Sequence, residues 1–315
     1  MKKLLVLVSL LVAASLVLTA CGSQSKTPEF NSLEDLSGYA LCAGTATTYD
    51  YWLNNDMEGL GLPASSIYSK APDGITVVTL ETDQECAQAL VAGREDFVGY
   101  VTSETVVDAN IAAGLPVKKL GDPVYSEDLA AAFDKSSTLD TTSLRAEVDK
   151  VFAQMHADGT LSALSNQWFK VDLTQSPTGT AFTSSTAAPM DGDLLSAIKE
   201  RGYLLVSTDP NYEPQSFLNT DGQRPADSKC PADTLTAVEM QGFDVDVAKA
   251  VGEALGVETC FATPSWDTIT AGNWANKWDL SIGSMTITTE RQKILDFSIP
   301  YYFTPAVVAV RATAP

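Results

Sequence analysis

The sequence predicts an α/β fold with a largely parallel sheet. Apolar, strand-like runs alternate with amphipathic helical segments in both halves of the chain. Two of these runs end in short polar turns, Gly44-Thr45 and Gly283-Ser284. Because ligands of such folds lie at the carboxyl ends of parallel strands, these turns are candidate parts of a binding site.

Length and charge limit the choice of partners. The chain has 315 residues, of which 45% are hydrophobic and 19% charged, enough for one large or two modest globular domains. Its 20 basic and 40 acidic residues give a formal net charge of −20. An acidic surface of this size repels nucleic acid and anionic lipid headgroups, so neither is expected as a partner.

Residues 1–21 have the features of a lipoprotein signal peptide. Two lysines precede an apolar run, Leu4–Leu18, and the sequence LTAC ending at Cys21 resembles a bacterial lipobox. We expect lipidation of Cys21, loss of the residues before it and an extracytoplasmic protein held to the cell membrane by lipid alone. An uncleaved membrane-spanning anchor is the alternative. Residues 22–31 are polar and predict a flexible tether.

Four further cysteines remain after Cys21. An even number outside the cytoplasm predicts two disulfides, for which three connectivities are possible. The chain has no CxxC motif and a single histidine, His156, so no metal site and no cofactor are expected. The four cysteines are Cys42, Cys86, Cys230 and Cys260.

The elements of the first half follow in order. An apolar run before Gly44-Thr45 predicts a strand, and the threonines after the turn predict the start of a helix. Residues 75–80 predict a second strand. The segment Thr82–Ala92 predicts an amphipathic helix with a threonine–glutamate capping box at its start and a glycine after its end. The run from Glu95 to Val106 then predicts a strand followed by a polar turn.

Residues 129–192 contain a strand, two helices and a linker. Leu129–Lys135 predicts the strand, and Ser143–Met155 and Thr160–Phe169 predict the helices, because their apolar residues recur at helical spacing. Residues 174–192 are rich in Thr, Ser, Ala, Gly and Pro without apolar periodicity, which predicts a linker.

The stretch Trp278–Arg291 combines a strand with groups that bind anions. Its apolar run Leu280–Ile282 is followed by glycine, serine and threonine residues, whose amides and hydroxyls suit a carboxylate. The guanidinium of Arg291 can pair with the same carboxylate through two hydrogen bonds. Taken alone, this pattern also fits a capped helix start beside a surface arginine.

Three other stretches accompany this one: Leu204–Phe217, Gly242–Val257 and Leu295–Arg311. Together the four resemble the first lobe of the family 3 extracytoplasmic solute-binding proteins, the polar amino-acid receptors of ABC importers. The resemblance implies a type 2 periplasmic-binding-protein fold, in which a hinge joins two lobes. It assigns residues 193–315 to the first lobe.

The same resemblance covers the first half of the chain, in an unexpected order. Residues 32–128 resemble the second lobe, and residues 129–173 resemble a hinge strand and closing helices that pack on the first lobe. This order implies a circularly permuted chain, with residues 174–192 joining the old ends. A fragment of a tandem array is the alternative.

The permuted order has two consequences. It leaves Leu129–Lys135 as the only continuous crossing between the lobes, with the crossing near Pro305–Arg311 held by strand pairing alone, so we expect a looser hinge. It also separates the cysteines by lobe, which implies the pairs Cys42–Cys86 and Cys230–Cys260. An insertion at residues 221–241 is expected to form a flap held by Cys230.

The resemblance assigns binding roles to the first lobe. It places Asp209 near a cationic or hydroxyl group of the ligand, and Tyr212 and Trp266 as walls of the pocket. It also implies a carboxylate-binding set, with Arg291 supplying the salt bridge. That set is Gly283, Ser284, Thr286 and Arg291. Asp244 and Asp246 are expected to be structural, since they lie at a helix N-terminus where the helix dipole favours carboxylates.

Across the cleft, the resemblance assigns the turn Gly44, Thr45 and Ala46 to the same carboxylate. Members of the family usually place an aspartate after a Gly-Arg-x-Asp turn to bind the α-ammonium, and here that position falls on Val101. Because valine cannot pair with a charge, the ligand is expected to be a carboxylate without a standard α-amino group, unless Glu104 or Asp209 substitutes.

These observations predict a monomeric, lipid-anchored solute-binding protein that delivers a small polar carboxylate, an amino acid or a related organic acid, to an ABC permease. An enzyme resembling cyclohexadienyl or arogenate dehydratase is the main alternative, with Glu104 as the candidate cleft acid. A signalling ectodomain is a third, although no membrane-spanning segment follows residue 21.

Overall fold

The computed structural model describes residues 28–175 and 192–312. The predicted signal peptide with Cys21, residues 22–27 of the tether and residues 176–191 of the linker lie outside the described residues. Across the described ranges, helices are too short or too polar to span a membrane. Residues 30–175 and 192–312 form one compact unit with a mixed α/β architecture, as predicted.

The elements alternate between strands and helices. The first group is β1 (Ala40–Gly44), α1 (Thr48–Leu53), α2 (Met57–Leu60), β2 (Thr76–Leu80), α3 (Asp83–Val91), β3 (Gly99–Ser103) and α4 (Glu104–Ala112), with 3-10 turns at Leu33–Leu36 and Ala64–Ser66. The middle group is β4 (Val117–Asp134), α5 (Thr142–Ala157) and α6 (Thr160–Phe169). The last group is α7 (Leu194–Arg201), β5 (Tyr203–Ser207), β6 (Asn211–Tyr212), β7 (Ser216–Leu218), β8 (Leu235–Thr236), β9 (Met240–Gln241), α8 (Phe243–Leu255), β10 (Glu258–Ala262), α9 (Trp266–Thr270), β11 (Leu280–Thr286), a 3-10 turn (Arg291–Lys293) and β12 (Leu295–Arg311).

In the described part of the chain, nine strands form one continuous sheet in the order β2-β1-β3-β12-β4-β11-β5-β10-β8. The sheet is mixed rather than largely parallel. Parallel pairs at each side, such as β1 with β2 and β5 with β10, flank the antiparallel pair β4 and β12 in the middle. The strands β6, β7 and β9 form a separate small sheet.

The buried hydrophobic residues that the structure describes form four clusters, two in each of two regions that we call the first and second lobes. The first lobe comprises residues 129–175 and 192–302, with Phe152, Val206 and Phe243 fully buried in it. The second lobe comprises residues 30–125 and 306–312, with Trp52 and Val308 fully buried. Helices α5 and α6 pack on the first lobe, because their apolar faces contribute Leu144, Val148 and Leu161 to its core.

Two long strands cross from one lobe to the other. Strand β12 pairs with β4 from Leu295 opposite Asp134 to Arg311 opposite Val117. Its second half also pairs with β3, so residues 306–311 pack in the second lobe. The expectation that the first lobe extends to residue 315 therefore differs from the structure. The expectation that one crossing is held by pairing alone is wrong, since β12 passes unbroken between the lobes.

Both disulfides form between the predicted partners. Cys42 in β1 is bonded to Cys86 in α3, and Cys230 is bonded to Cys260 in β10. Cys230 belongs to the predicted flap, which continues into β8 and pairs with the edge of the sheet at β10. The insertion therefore covers a sheet edge that would otherwise present unpaired backbone groups.

Candidate ligand-binding site between the two lobes

A pocket lies between the lobes and is lined from both sides. Its second-lobe wall comes from the start of α1 and from the loop and first residue of α3. Its first-lobe wall comes from β11, α9 and the loop after β5. The lining residues are Thr47, Thr48, Tyr49, Glu81, Thr82, Asp83, Asp209, Tyr212, Trp266, Gly283, Ser284 and Thr286. The structure thus brings together six of the predicted site residues: Asp209, Tyr212, Trp266, Gly283, Ser284 and Thr286.

Arg291 lies buried at this interface, with 6% of its surface exposed. Its guanidinium donates to the carbonyls of Thr286 and Ala46, each at 3.1 Å. The guanidinium carbon lies 5.4 Å from the centre of the Trp266 ring. No carboxylate of the described residues lies within 4.0 Å of it. Burial lowers the pKa of Arg291, and the nearby negative charge of Glu127 opposes that shift.

The turn Gly44, Thr45 and Ala46 meets the first lobe in a different way from the one predicted. The carbonyl of Ala46 accepts from Arg291 and from the Trp266 indole, at 3.1 and 3.3 Å. The amide of Gly44 donates to Asp83 Oδ1 at 2.7 Å, and the amide of Thr45 donates to the carbonyl of Leu80 at 2.9 Å. In this structure the amides of Gly44 and Thr45 both donate to acceptors of the protein. Their assignment to a ligand carboxylate stays a prediction.

Aromatic hydroxyls join the lobes across the pocket. Tyr212 of the first lobe is hydrogen-bonded to Tyr49 of the second, 3.1 Å apart, and donates to Ser103 Oγ at the same distance. Burial raises the pKa of Tyr212 well above its usual range. Asp209 accepts from the amide of Asn211 at 2.9 Å, and burial raises its pKa as well.

Ser284 is fixed from beneath by a buried network. It has a positive φ of 55°, which is uncommon for a residue with a side chain. Its hydroxyl donates to Asp244 Oδ2 at 2.7 Å and accepts from Tyr302, and Tyr301 donates to Asp244 Oδ1 at 2.7 Å. Burial raises the pKa of Asp244 to about 7, although the hydrogen bonds from Tyr301 and Ser284 act to lower it. Asp246, by contrast, accepts from the Trp168 indole outside the pocket.

Sequence reasoning missed three carboxylates at this site, of which Glu81 is exposed at its edge. Asp83 lines the pocket as the first residue of α3. Glu127 is 1% exposed in β4, and its Oε2 accepts from Thr48 at 2.6 Å and Thr286 at 2.5 Å, one residue from each lobe. The capping threonine before Asp83 was a usable signal, because a helix start that faces a glycine turn points its first residues at that turn. Glu127 had no such signal.

Glu104 and Val101 lie elsewhere than predicted. Glu104 begins α4 and forms a salt bridge with Lys119 at 2.6 Å, so it is not among the residues that line the pocket. The polar turn predicted after β3 is in fact this helix, with Ser103 at its N-cap position. Val101 is fully buried in the second-lobe core. The position at which β3 ends and faces the first lobe is Ser103, whose hydroxyl contacts Tyr212 and Gln215.

Residues 204–315 match the bacterial extracellular solute-binding proteins, family 3. Over these residues the chain is similar to that family. Among its relatives, the probable amino-acid-binding protein YxeM of Bacillus subtilis is 33% identical over 148 residues, 46% of this chain and 49% of YxeM. The L-cystine-binding protein TcyJ of Escherichia coli is 35% identical over 111 residues, 35% of this chain and 36% of TcyJ.

A third relative carries an enzyme's name. The cyclohexadienyl dehydratase of Pseudomonas aeruginosa is 28% identical over 121 residues, 38% of this chain and 39% of the dehydratase. The chain thus spans about half the length, or less, of each of these three relatives. The matching family segment contains Asp209, Tyr212, Trp266, the β11 residues and Arg291, all of the first-lobe candidates.

Proposed function

We propose that the protein is an extracytoplasmic solute-binding protein of an ABC importer, which closes its lobes on a small carboxylate ligand, an amino acid or a related organic acid. The observation that carries this proposal is the buried Arg291 at the interface of the lobes, with no carboxylate partner among the described residues. A buried guanidinium is costly without an anion. The amino-acid-binding and cystine-binding names of two relatives support the same class of ligand.

Closure of the two lobes is the step that retains the ligand in this proposal. Hydrogen bonds from Arg291 and Trp266 to Ala46, and between Tyr212 and Tyr49, exist only when the lobes are in contact. A ligand that adds a carboxylate to Arg291 stabilises the closed state, because it binds both walls at once. The strands β4 and β12 provide the connection about which such a motion occurs.

Replacement of Arg291 tests this function. We expect Arg291→Gln to weaken the tightest ligand of a panel of amino acids and organic acids by at least about a hundredfold, because a charge-assisted, buried hydrogen-bonded pair is lost. Arg291→Lys should recover only part of the affinity, since a lysine cannot make two parallel hydrogen bonds. The affinities are measured by isothermal titration calorimetry on the purified chain.

Arg94→Gln is the matched control, because Arg94 is exposed and pairs with Asp96 outside the pocket. It should bind like the unmodified protein. Thermal unfolding without ligand shows whether the Arg291 variants are folded. Unchanged affinity in a folded Arg291→Gln variant contradicts the proposal, as does a panel in which no carboxylate binds the unmodified protein.

A dehydratase is the second candidate, and one observation favours it. Burial raises the pKa of the pocket carboxyl Asp83 to about 7, in the range that suits an acid catalyst. This acid replaces Glu104, which the sequence suggested but which pairs with Lys119. Incubation of the protein with prephenate and arogenate, followed by chromatography of the products, separates the two functions: turnover identifies an enzyme.

Two parts of the proposal concern the chain as a whole. We propose lipid anchoring at Cys21, tested by incorporation of labelled palmitate into the protein and its loss in Cys21→Ala. We also propose that the chain is circularly permuted, with second-lobe residues before first-lobe residues. The match of the family to residues 204–315, after the elements β1 to α4 of the second lobe, supports this order.

A further inference from the structure

Asp83 combines deep burial with a place on the wall of the pocket. It is the first residue of α3, directly after the N-cap Thr82, and its exposed fraction is 4%. The first-lobe residues that line the same pocket include Tyr212 and Ser284. No lysine, arginine or histidine of the described residues pairs with it. A carboxylate in this position lacks a counter-charge from the protein.

The hydrogen bonds of Asp83 hold it in place and leave it able to accept more. Oδ1 accepts from the amide of Gly44 at 2.7 Å, and Oδ2 accepts from the hydroxyl of Thr102 at 2.9 Å. Both donors belong to its own lobe, so they fix the carboxyl without filling its acceptor sites. Since a carboxylate offers about four acceptor positions, each oxygen retains capacity for a donor from the pocket.

The turn at residues 44–46 brings Asp83 and Arg291 towards the same ligand. Gly44 holds Asp83 through its amide, and Ala46 holds Arg291 through its carbonyl. Only Thr45 separates Gly44 from Ala46. The carboxylate of Asp83 and the guanidinium of Arg291 are therefore bound to nearby points of one short segment. In an α-amino acid the ammonium and the carboxylate are likewise attached to a single carbon atom.

The other pocket acids suit this role less well. Glu81 is exposed at the edge of the pocket, and Asp209 is only partly buried and caps the following loop through Asn211. Glu127 has its Oε2 shared by Thr48 and Thr286, and its charge acts on Arg291. A negative group beside the arginine competes with a ligand carboxylate instead of adding to its recognition.

We infer that Asp83 binds the amino group of the ligand, and that the protein therefore selects amino acids over the corresponding acids without an amino group. This inference rests on the proposed function. It replaces the expectation, drawn from Val101, that the site lacks an ammonium partner. The partner comes from the start of α3 instead of the end of β3.

The test compares paired ligands on paired variants. The full chain is titrated with the common amino acids and L-cystine, and with the same molecules lacking the amino group, for example 5-guanidinopentanoate for arginine and 3,3′-dithiodipropionate for cystine. We expect the unmodified protein to prefer the best amino acid by at least about a hundredfold over its partner, the usual scale for an unpaired buried polar group. Asp83→Asn should reduce that preference to less than about tenfold by weakening only the amino acid.

Two further variants keep the outcome decisive. Asp108→Asn, an exposed residue paired with Lys119, should keep the full preference. Loss of the preference in Asp209→Asn but not in Asp83→Asn overturns the inference, as does a desamino acid that binds the unmodified protein as tightly as its amino acid. Equal weakening of both ligands by Asp83→Asn also overturns it. If no ligand of either kind binds the unmodified protein, the proposed function itself has failed.

Discussion

At the scale of single residues, Asp244 links the stability of the first lobe to the shape of the pocket. It is fully buried, and its two carboxyl oxygens accept from Ser284 and Tyr301. Ser284 also carries a backbone conformation that few side chains tolerate. The network holds that conformation, and with it the pocket surface formed by β11, because each hydroxyl has a fixed partner.

This buried acid makes stability depend on pH in a defined direction. The pKa of Asp244 is raised from 3.8 to about 7 in the folded protein by burial. Between these values the folded state holds a proton that the unfolded state has lost, so the contribution is fully present at low pH and is lost as the pH rises through 7. The slope is up to about 1.4 kcal/mol per pH unit for one proton.

We therefore expect Asp244→Asn to remove this slope. Denaturant unfolding of both proteins at several pH values between 4 and 8 gives the difference in unfolding free energy, which should move in favour of the variant as the pH rises and level off above about 7. Ser284→Ala is the control, because it removes one hydrogen bond but keeps the titrating group. A difference that is constant across the range contradicts the assignment.

The site could be predicted from sequence where chemistry and local pattern agreed. Arg291 follows a strand that ends in glycine and hydroxyl residues, so its place at the interface follows from a short segment. Asp83 and Glu127 depend on contacts between residues far apart, such as Gly44 with Asp83 and Thr286 with Glu127. The expected ammonium-binding position fell on Val101, inside β3, because the length of β3, and so the residue at its end, is set by pairing with β1 and β12.

At the scale of elements, helix α3 shows what sequence can specify. Its start was predicted from a capping box, and the structure contains both hydrogen bonds of that box between Thr82 and Glu85. Helix α6 spans Thr160–Phe169, as predicted. Strand β4 runs over Val117–Asp134, whereas the apolar pattern indicated only residues 129–135. Its remaining length is polar in part and is strand because β12 pairs along it.

The two disulfides should differ in their effect on binding although both stabilise the fold. Cys42 lies two residues before Gly44 and Cys86 three residues after Asp83, so this bond ties together the two elements joined by the hydrogen bond from Gly44 to Asp83. Cys230 and Cys260 instead fasten the insertion to the sheet edge. Only the first bond supports a pocket wall.

We expect the double variant Cys42→Ala/Cys86→Ala to lose about 2–5 kcal/mol of unfolding free energy and about tenfold in ligand affinity. Cys230→Ala/Cys260→Ala is the matched comparison and should lose a similar stability with less than about a twofold change in affinity. Unfolding curves and calorimetric titration, both at a temperature where each variant is folded, measure the two effects. Equal loss of affinity in both variants contradicts the argument.

At the scale of the whole molecule, the chain connects its lobes more firmly than its order suggests. In a permuted order, we expected one continuous strand to connect the lobes. The second crossing was expected to be held only by hydrogen bonds between strands. Both β4 and β12 are continuous through the hinge and pair along their length. A reordered chain would need a new connection between residues 312 and 30. These two points lie close together, because Lys118 is paired with Val310 and its ammonium donates to the carbonyl of Phe30 at 3.2 Å.

The hinge should therefore behave alike in either chain order. The comparison is with a reordered chain in which residues 192–312 precede residues 30–175 through a short linker, so that both orders retain β4 and β12 intact. Closure depends on contacts such as those of Arg291 and Trp266 with Ala46, and the stiffness of the hinge depends on two unbroken strands. Both features are the same in the two chain orders. Small-angle scattering without ligand should give equal radii of gyration, and ligand should reduce both by the same amount. A larger radius for the original order alone would mean that the order of the lobes in the chain loosens the hinge despite the intact strands.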